Sequence, residues 1–551
     1  MKYVEGQDRE QKTLLPDCIE DYIGEDNPVR VIDAFVDGLD IEKLGIKRAT
    51  PNEMGRPPYD PRDLLKLYVY GYFNRIRSSR RLMTESTRNV ELFYLLGKLT
   101  PDFRTIADFR KDNAKALKNV FRAFVKLCMK LGLYQKELLA VDGSKFRAVN
   151  SKDNCYNAEI LQKKLARIDE HIAEYLKQMD QNDASEPDAK KLTPDQIKEA
   201  VRELSQRKGV YQGYLKELEE SGETQLLLSD PEARRMHSKD GFHCCYNVQT
   251  AVDGSSHLIA EYEVTDHNTD QGLLKEVAES AKEVLETETI ETVADKGYES
   301  RADILDCVMN GIVPNVAMKY DKDERTFAID YVEQEISEEE QNSTKPEDIQ
   351  KCIAAGVLPK CYENTVIEVE LKKQAELSCF SLNEDGTVTC PMGCTLTKIK
   401  TKGNNSVYAS KEACRRCQNR CISSGNHKTV SFGPNTKIVP VRMYGKPGQK
   451  LNRIPEGAVI SPYNHTLDRK DYAKPKLVIL RIKNAPDKIH ERMCLSEHPF
   501  GTVKWYDGAY YLLCKGKEKA SAELGLSFLA YNLKRAINMV GAKVLIAERQ
   551  G

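Results

Sequence analysis

Two short apolar segments of this chain each end at an aspartate. Residues 138–141 precede Asp142, and residues 290–294 precede Asp295. The length of both segments and the turn residues that flank them favour buried strands over helices. A carboxylate at the end of a buried strand costs free energy unless a partner such as a metal ion compensates its charge. If the two strands are neighbours, the two aspartates can hold divalent metal together.

A third acid that could complete such a site lies near the C-terminus. Glu497 falls in residues 487–504, which are predicted to be helical, and Glu523 in the following helix is the competing acid. Three carboxylates can hold two Mg²⁺ or Mn²⁺ ions about 3.5–4 Å apart in enzymes that cut phosphodiesters. We therefore predict Asp142, Asp295 and Glu497 to be both catalytic residues and ligands of two such ions.

The predicted elements around these acids follow the order of an RNase H-like core, which makes the fold class mixed α/β. Gly143 and Ser144 are predicted to turn the chain after Asp142. The elements that follow are a hairpin turning at 254–256, an amphipathic helix at 270–287, the strand before Asp295, a helix at 301–309 and a strand at 311–314. In that fold the strands that carry the two aspartates lie side by side, so both acids would share one edge of the sheet.

The N-terminal region is predicted to be a helical DNA-binding domain. Asn27 and Asp60 are each followed by proline, which marks two helix starts, and residues 105–131 are predicted as one long helix. From Lys47 to Lys130 the chain has 19 lysines and arginines against 8 acids. This local positive charge suits binding to phosphates, and solvated helix faces in a neutral protein explain it equally well.

Residues 74–81 form a dense basic turn between two of the predicted helices. Its arginines are candidate DNA contacts: Arg75, Arg77, Arg80 and Arg81. Several short basic helices suit a helix-turn-helix DNA module. A plain helical bundle has the same periodicity, so this pattern alone does not separate the two.

Two long amphipathic helices are predicted between the first strand and the hairpin. Residues 155–225 have apolar positions three or four apart on either side of a polar link, which indicates an inserted helical hairpin. Such an insertion can be a solvent-exposed spacer or a dimerisation arm.

Five of the chain's 16 cysteines lie within 32 residues of one another. They are Cys390, Cys394, Cys414, Cys417 and Cys421. Cysteines two or three residues apart in a cytosolic chain indicate a structural, tetrahedral zinc site. Four ligands are needed, and His427 and Cys379 are nearby spares. The alternative is that these are buried or unpaired thiols.

Length and composition are those of an ordinary soluble protein of about three domains. The chain has 551 residues, a net charge of −1 and 30% charged residues. No secretion signal and no apolar run long enough for a membrane span are present, so a cytoplasmic location without membrane contact is expected. The predicted division is a helical domain at 1–134, a core at 135–154 and 226–319, the inserted hairpin at 155–225, a cysteine-rich insertion at 320–455, and C-terminal core helices at 456–551.

A series of short motifs along nearly the whole chain resembles one protein family. They are Tyr59-Asp-Pro, Arg104-Thr-Ile-Ala-Asp-Phe-Arg110, Val141-Asp-Gly-Ser144, Tyr246-Asn-Val-Gln-Thr-Ala-Val-Asp253, Glu497-His-Pro-Phe-Gly-Thr-Val-Lys504 and Leu529-Ala-Tyr-Asn-Leu-Lys-Arg535. In this order they resemble bacterial insertion-sequence transposases of the DDE class. The second acid lies in a D-x-G-Y motif, here Asp295-Lys-Gly-Tyr298, and the chain is most similar to the insertion-sequence family eleven-eighty-two.

This resemblance implies an RNase H-like enzyme that cuts at transposon ends and joins the freed 3′-hydroxyl to target DNA. It assigns the catalytic acids to Asp142, Asp295 and Glu497, and it implies a homodimer on terminal-repeat and target DNA near the bacterial nucleoid. Related transposases have a lysine seven positions after the last acid, which Lys504 matches. They have an arginine before that acid, and Arg492 lies one residue too far away. With Lys296, these two residues are further candidate DNA contacts.

Two other classes of protein fit the same residues. One is a DNA-binding protein that has lost catalysis, and the presence of all three acids argues against it. The other is a general RNase H-like nuclease, which would cut without requiring specific end sequences or forming strand-transfer products.

Overall fold

The structure is a computed structural model in which the chain forms two compact units. One unit contains Met1–Asp303 and Asp487–Gly551, and the other contains Ile304–Pro486. The structure describes residues 18–50, 58–151, 154–183, 193–238, 240–318, 324–372, 380–383, 385–417, 421, 426–433 and 477–550. In this part of the chain no helix is long and apolar enough to cross a membrane.

The first unit begins with six helices. They are α1 (Pro28–Asp37), α2 (Pro61–Phe73), α3 (Ser79–Ser86), α4 (Val90–Leu96), α5 (Phe103–Asp112) and α6 (Ala114–Lys130). The predicted starts at Asn27 and Asp60 are confirmed, because each side chain accepts a bond from a backbone N–H of the first turn. The single helix predicted over 105–131 is wrong. It is interrupted at Asn113, which leaves the helical backbone conformation and accepts a hydrogen bond from the Lys47 N–H.

A long strand, β1 (Leu138–Arg147), carries Asp142. The predicted turn at Gly143 and Ser144 is wrong, since β1 continues straight through both residues. Its antiparallel partner in the sheet is long enough to pair with it from Leu139 to Arg147. The ladder of hydrogen bonds therefore holds the backbone extended where glycine and serine alone favour a turn.

Two long helices form a hairpin in the segment predicted as an insertion. Between the short strands β2 (Cys155–Tyr156) and β3 (Leu226–Leu227), the helices α7 (Ala158–Asp183) and α8 (Pro194–Ser221) pack against each other. Leu161 and Leu218 are buried there beside a cluster of tyrosines that includes Tyr156. A role of this arm in dimerisation stays a prediction.

The central sheet of the first unit is completed by later strands. They are β4 (Arg234–Ser238), β5 (Gly241–Asp253), β6 (Ile259–Thr265) and, after helix α9 (Leu274–Leu285), β7 (Ile290–Ala294). The order β4-β5-β1-β7 has β6 paired with β5. The pairs β4-β5, β5-β6 and β1-β5 are antiparallel, whereas β1 and β7 are parallel. The predicted hairpin, the helix after it and the strand before Asp295 are thus all present.

The second unit contains the cysteine-rich segment. After α10 (Arg301–Met309) its elements are β8 (Ile312–Val316), β9 (Glu324–Asp330), α11 (Glu338–Asn342), α12 (Pro346–Ala354), β10 (Ile367–Lys372), β11 (Ser381–Leu382), β12 (Val388–Thr389), β13 (Thr395–Lys402), β14 (Asn405–Ala409), α13 (Lys411–Arg416), β15 (Thr429–Phe432) and β16 (Leu477–Lys483). An antiparallel sheet of order β10-β16-β9 and a second sheet of order β11-β12-β13-β14-β15 form here.

Three C-terminal helices return to the first unit. They are α14 (Pro486–Gly501), α15 (Lys517–Val540) and α16 (Ala542–Gln550). Every residue of α15 from Ala522 to Leu533 is buried, and the helix packs against α2, α6 and β6. Its Asn532 bonds both the N–H and the carbonyl of Ile259 in β6. This helix forms the centre of the core between the N-terminal helices and the sheet.

Candidate active site

Asp142 and Asp295 are held side by side by two parallel strands. The register of β1 and β7 pairs Ala140 with Val293. Continued by two residues, it brings Asp142 opposite Asp295, on strands that are about 4.8 Å apart. The prediction that these two strands lie next to each other in the sheet is therefore confirmed.

Backbone N–H groups fix the orientation of both carboxylates. The N–H of Gly143 donates to Oδ1 of Asp142 at 2.8 Å, and the N–H of Gly297 donates to Oδ1 of Asp295 at 2.7 Å. Both acids are half-buried, so they remain accessible to a solute at the edge of the sheet.

A third aspartate, which the sequence did not single out, lies beside these two. Oδ1 of Asp270 accepts hydrogen bonds from Asn247 at 2.8 Å and from Gln249 at 2.7 Å. Its Oδ2 lies 3.6 Å from the point that a Cβ on Gly297 would occupy, and Oδ1 of Asp295 lies 2.8 Å from the same point. Asn247 and Gln249 could have indicated this acid, because two buried amides on one face of a central strand need a polar partner.

Tyr298 connects the D-x-G-Y motif to the same group. Its ring is buried and its hydroxyl donates to Oε1 of Gln249. Burial raises the pKa of Tyr298 well above its usual value, and the negative charges of Asp270, Asp142 and Asp295 raise it further. All three aspartates thus act electrostatically on one hydroxyl, which remains a hydrogen-bond donor at any physiological pH.

The helix α14 lies against the strands that carry the acids. Its Leu495 packs on Ala140 and Val293 in one buried cluster. On the same helix, Nη1 of Arg492 lies 3.8 Å from Oδ2 of Asp142. The Arg492 side chain is thereby directed at the predicted site, and its role as a DNA contact stays a prediction.

Glu497 is exposed on α14. It comes two residues after Leu495, and at about 100° per residue it projects about 160° away from the side that packs on the sheet. In the part of the chain that the structure describes, no three acidic, histidine or cysteine side chains converge closely enough to hold a metal ion as they stand. The structure therefore brings Asp142 and Asp295 together without Glu497, whose assignment as the third acid stays a prediction.

The competing acid Glu523 is buried, with an exposure of 1%, and is already engaged. Its Oε2 accepts the N–H groups of Leu513 and Cys514 at 2.9 and 3.0 Å, and its Oε1 lies 3.3 Å from Nη1 of Arg77. Arg77 is itself buried and donates to the carbonyl of Tyr511. These contacts are those of a structural pair, and they do not support Arg77 as a DNA contact.

Removing Glu523 is therefore expected to destabilise the protein. In Glu523→Ala the Arg77 charge stays buried without its partner, which should lower the free energy of unfolding by about 3–5 kcal/mol. Urea unfolding followed by circular dichroism measures this change. The matched control is Glu518→Ala on the same helix, where the carboxylate is exposed. A loss of activity at unchanged stability would instead make Glu523 catalytic.

The other predicted DNA contacts differ in exposure. Arg75, Arg80, Arg81 and Lys296 are exposed. Nζ of Lys504 donates to Oγ of Ser144 at 2.7 Å and to the carbonyl of Lys145 at 2.6 Å, just beyond Asp142 on β1. The role of all five residues as DNA contacts stays a prediction.

Part of the basic N-terminal region has a structural role. Lys66 bridges Asp33 and Asp37, and Lys118 and Arg122 both pair with the buried carboxylate of Glu261 in β6. These pairs join helix to helix and helix to sheet. Only the remaining exposed arginines and lysines are available to bind phosphate.

The five predicted zinc-binding cysteines line one small cavity of about 30 Å³ in the second unit. The N–H of Cys394 donates to Sγ of Cys390 at 3.3 Å, and the N–H of Lys428 donates to Sγ of Cys414 at 3.4 Å. Burial raises the pKa of the Cys390 thiol. Cys379 lies outside the described residues, and His427 does not line the cavity.

Comparisons with known proteins connect the N-terminal region to transposition. Residues 17–112 match the family described as "Transposase domain (DUF772)". This match supports a transposase. No curated protein matches the chain.

A search of solved structures finds the piggyBac transposase synaptic complex with hairpin DNA, solved by cryo-EM. The identity is 7% and the TM-score 0.28, over 95% of this chain and 79% of that chain. At this TM-score the similarity carries no argument about fold or function.

Proposed function

We propose that this protein is a DDE transposase with an RNase H-like core, which cuts DNA at transposon ends and joins the 3′-hydroxyl to target DNA. The observation that carries the proposal is the parallel pairing of β1 with β7, which directs Asp142 on β1 and Asp295, just after β7, toward the same edge of the sheet. The transposase domain match over residues 17–112 supports it independently. A parallel strand pair that follows an antiparallel hairpin is also the arrangement that an RNase H-like core requires.

The acids fit Mg²⁺ or Mn²⁺ by the chemistry of their donors. They offer carboxylate oxygens only, and Mg²⁺ is commonly held by one or two carboxylates with the remaining positions filled by water and substrate phosphates. Asp142 and Asp295 would hold two such ions, and the resemblance assigns the third carboxylate to Glu497. When bound, the ions would activate the attacking hydroxyl and stabilise the leaving oxygen.

The protein's own groups would orient the acids and the DNA strand. The N–H groups of Gly143 and Gly297 set the direction of the two carboxylates. Asp270 and Gln249 fill the space beside Gly143, and Gln249 also accepts a hydrogen bond from the hydroxyl of Tyr298. Arg492 lies next to Asp142, where its guanidinium would contact a phosphate beside the scissile bond.

The expected partners are transposon-end and target DNA, and a second copy of the chain. The exposed arginines Arg75, Arg80 and Arg81 would contact phosphates, so binding should weaken steeply with salt. Two transposon ends must be joined together, which a homodimer would achieve. The expected location is the bacterial cytoplasm, in association with the nucleoid.

The test of the proposed function is a cleavage and joining assay. Labelled DNA that includes the sequences flanking the gene is incubated with the full chain and Mg²⁺, with and without a target plasmid. Nicks at fixed end positions and joined products that vanish with a chelator would support a transposase. Cleavage without any preference for the end sequences would indicate a nuclease, and binding without cleavage would indicate a DNA-binding protein.

We also propose that the cysteine cavity holds a structural zinc ion. Its volume of about 30 Å³ is enough for a small ion, and its lining offers five sulfurs where a tetrahedral site needs four. Cys390 and Cys414, whose sulfurs each accept a backbone N–H, would be two of the four ligands. The ion would draw in two of the remaining three sulfurs.

Elemental analysis of the full chain tests the zinc proposal. About one zinc per chain is expected in the parent, because a site of four thiolates binds zinc tightly. Cys390→Ser and Cys414→Ser should lose the zinc, whereas Cys361→Ser, at a cysteine of similar exposure in the same unit, should keep it. Zinc far below one atom per gently purified parent chain would contradict the proposal.

A further inference from the structure

Four aromatic side chains form an exposed patch just after α14. We call Trp505, Tyr506, Tyr510 and Tyr511 the aromatic platform; their exposures are 70%, 63%, 38% and 41%. Trp505 is the only tryptophan among the 551 residues. A single exposed aromatic is common on protein surfaces, but a contiguous group usually marks a binding surface.

The rings of the platform are already arranged for stacking. Trp505 and Tyr510 are stacked, with centroids 5.9 Å apart and an angle of 17° between the planes. Tyr511 meets Tyr510 edge-on at 4.9 Å. Trp505 and Tyr506 lie on a single π-helical turn, a conformation that is often found at functional sites.

Two arginines lie against rings of the platform. The Arg75 guanidinium lies 3.5 Å from the centroid of the Tyr506 ring, and Arg147 lies 5.9 Å from that of Tyr510. Arg75 also pairs with Asp507 at 3.4 Å, and Arg147 with Asp240 at 3.4 Å, so both arginines are oriented at the surface. Aromatic faces between cations suit a polyanion with flat, apolar side groups, which is the chemistry of a nucleic acid strand with unpaired bases.

The platform is fixed to the strand that carries Asp142. The N–H of Arg147, the last residue of β1, donates to the carbonyl of Tyr510 at 3.0 Å, and Leu512 donates back to the Arg147 carbonyl at 2.8 Å. Next to Trp505, Lys504 bonds Ser144. From Asp142 to Arg147 the strand spans about 17 Å. That distance corresponds to about five stacked nucleotides at about 3.4 Å each.

We propose that the aromatic platform stacks on unpaired bases of the DNA strand that enters the active site, about five nucleotides from the scissile phosphate. This inference rests on the proposed function, because it assigns the substrate of that site as DNA whose bases are locally unpaired. Stacking is tolerant of sequence, since every base has an aromatic face. The platform would therefore select distorted or melted ends over intact duplex, whatever their sequence.

The single tryptophan makes the test direct, because intrinsic tryptophan fluorescence reports on Trp505 alone. The full chain carrying Asp142→Asn is titrated with a short single strand, a duplex with a frayed end and a blunt duplex of equal length. The single strand and the frayed duplex should quench the fluorescence at lower concentrations than the blunt duplex. No quenching, or equal quenching by the blunt duplex, would overturn the proposal.

Variants separate stacking from charge and from self-association. By anisotropy of labelled single strand, Trp505→Ala should weaken binding about tenfold. Trp505→Phe should bind within about twofold of the parent, and Tyr22→Ala, at another exposed aromatic, should have no effect. Equal binding by Trp505→Ala and the parent would overturn the proposal. So would a fluorescence change on concentration without DNA that coincides with doubling of the mass, because a second copy would then cover the platform.

These readouts remain distinct from the test of the proposed function. They measure binding in a variant that lacks one catalytic acid, so they do not depend on cleavage. If DNA changes the Trp505 fluorescence but the parent does not cleave DNA, the transposase proposal is contradicted while the binding of bases by the aromatic platform is supported. Cleavage by the parent, together with a Trp505 fluorescence that does not change on adding DNA, would support the transposase and contradict the role of the aromatic platform.

Discussion

Asp142→Asn and Asp295→Asn are each expected to reduce DNA cleavage by about 10²–10⁴-fold. Asparagine keeps the size of the side chain and an oxygen that can accept the N–H of Gly143 or Gly297, so the fold should be unchanged. It removes the negative charge that a hard cation needs, and a loss of about 3–5 kcal/mol of transition-state stabilisation corresponds to this change in rate.

Single-turnover cleavage of end-containing DNA with saturating Mg²⁺ measures the effect. The control is Glu276→Gln, an exposed carboxylate on α9, which should cut as the parent does. Circular dichroism and DNA binding should be the same for all variants. If both aspartate variants cut as fast as the parent, the assignment of the active site is wrong.

Gly143→Ala is expected to reduce cleavage about 100-fold or more without unfolding the protein. A Cβ at this position would come within 2.4 Å of both Oδ1 of Asp270 and Nε2 of Gln249, which are bonded to each other. Either the side chains of Asp270 and Gln249 must shift to make room, or the strand β1 with Asp142 must shift instead. A displacement of about 1 Å near reacting groups can reduce a rate about 100-fold.

The same cleavage assay measures this variant, with Gly213→Ala in α8 as its control. A Cβ at Gly213 meets no atom within 4 Å, and alanine should stabilise that helix by up to about 1 kcal/mol. Parent-like cleavage by Gly143→Ala would indicate that the pair of Asp270 and Gln249 is not held rigidly beside the site. Aggregation or unfolding of Gly143→Ala would assign the pair to stability instead.

That the strands leading to Asp142 and Asp295 are neighbours could be predicted from the sequence, because strand periodicity and element order indicate which strands pair. For Asp270 the sequence offered only an indirect signal, because Asn247 and Gln249 indicate that a polar partner is needed, but no local pattern states which loop side chain supplies it. Asp270 lies in the loop before α9, and its place beside the two amides is known only from the folded structure.

The predicted turn at Gly143 failed for a related reason. Gly143 and Ser144 favour a turn locally, but pairing with β5 over nine residues outweighs that preference. Glycine is needed there because the side chains of Asp270 and Gln249 occupy the space of a Cβ. The composition of the N-terminal helices likewise indicated positive charge without revealing that Arg77, Lys66 and Arg122 take part in structural ion pairs.

The late position of helix α15 in the sequence determines when the protein can complete its fold during synthesis. It is the centre of the core, yet it is made from residues 517–540, long after the strand that carries Asp142. At about 5–20 residues per second, a ribosome needs about 20–80 s to travel from that strand to the end of this helix. During that interval the nascent chain lacks its central helix. Messages cut short before codon 517 should yield inert fragments.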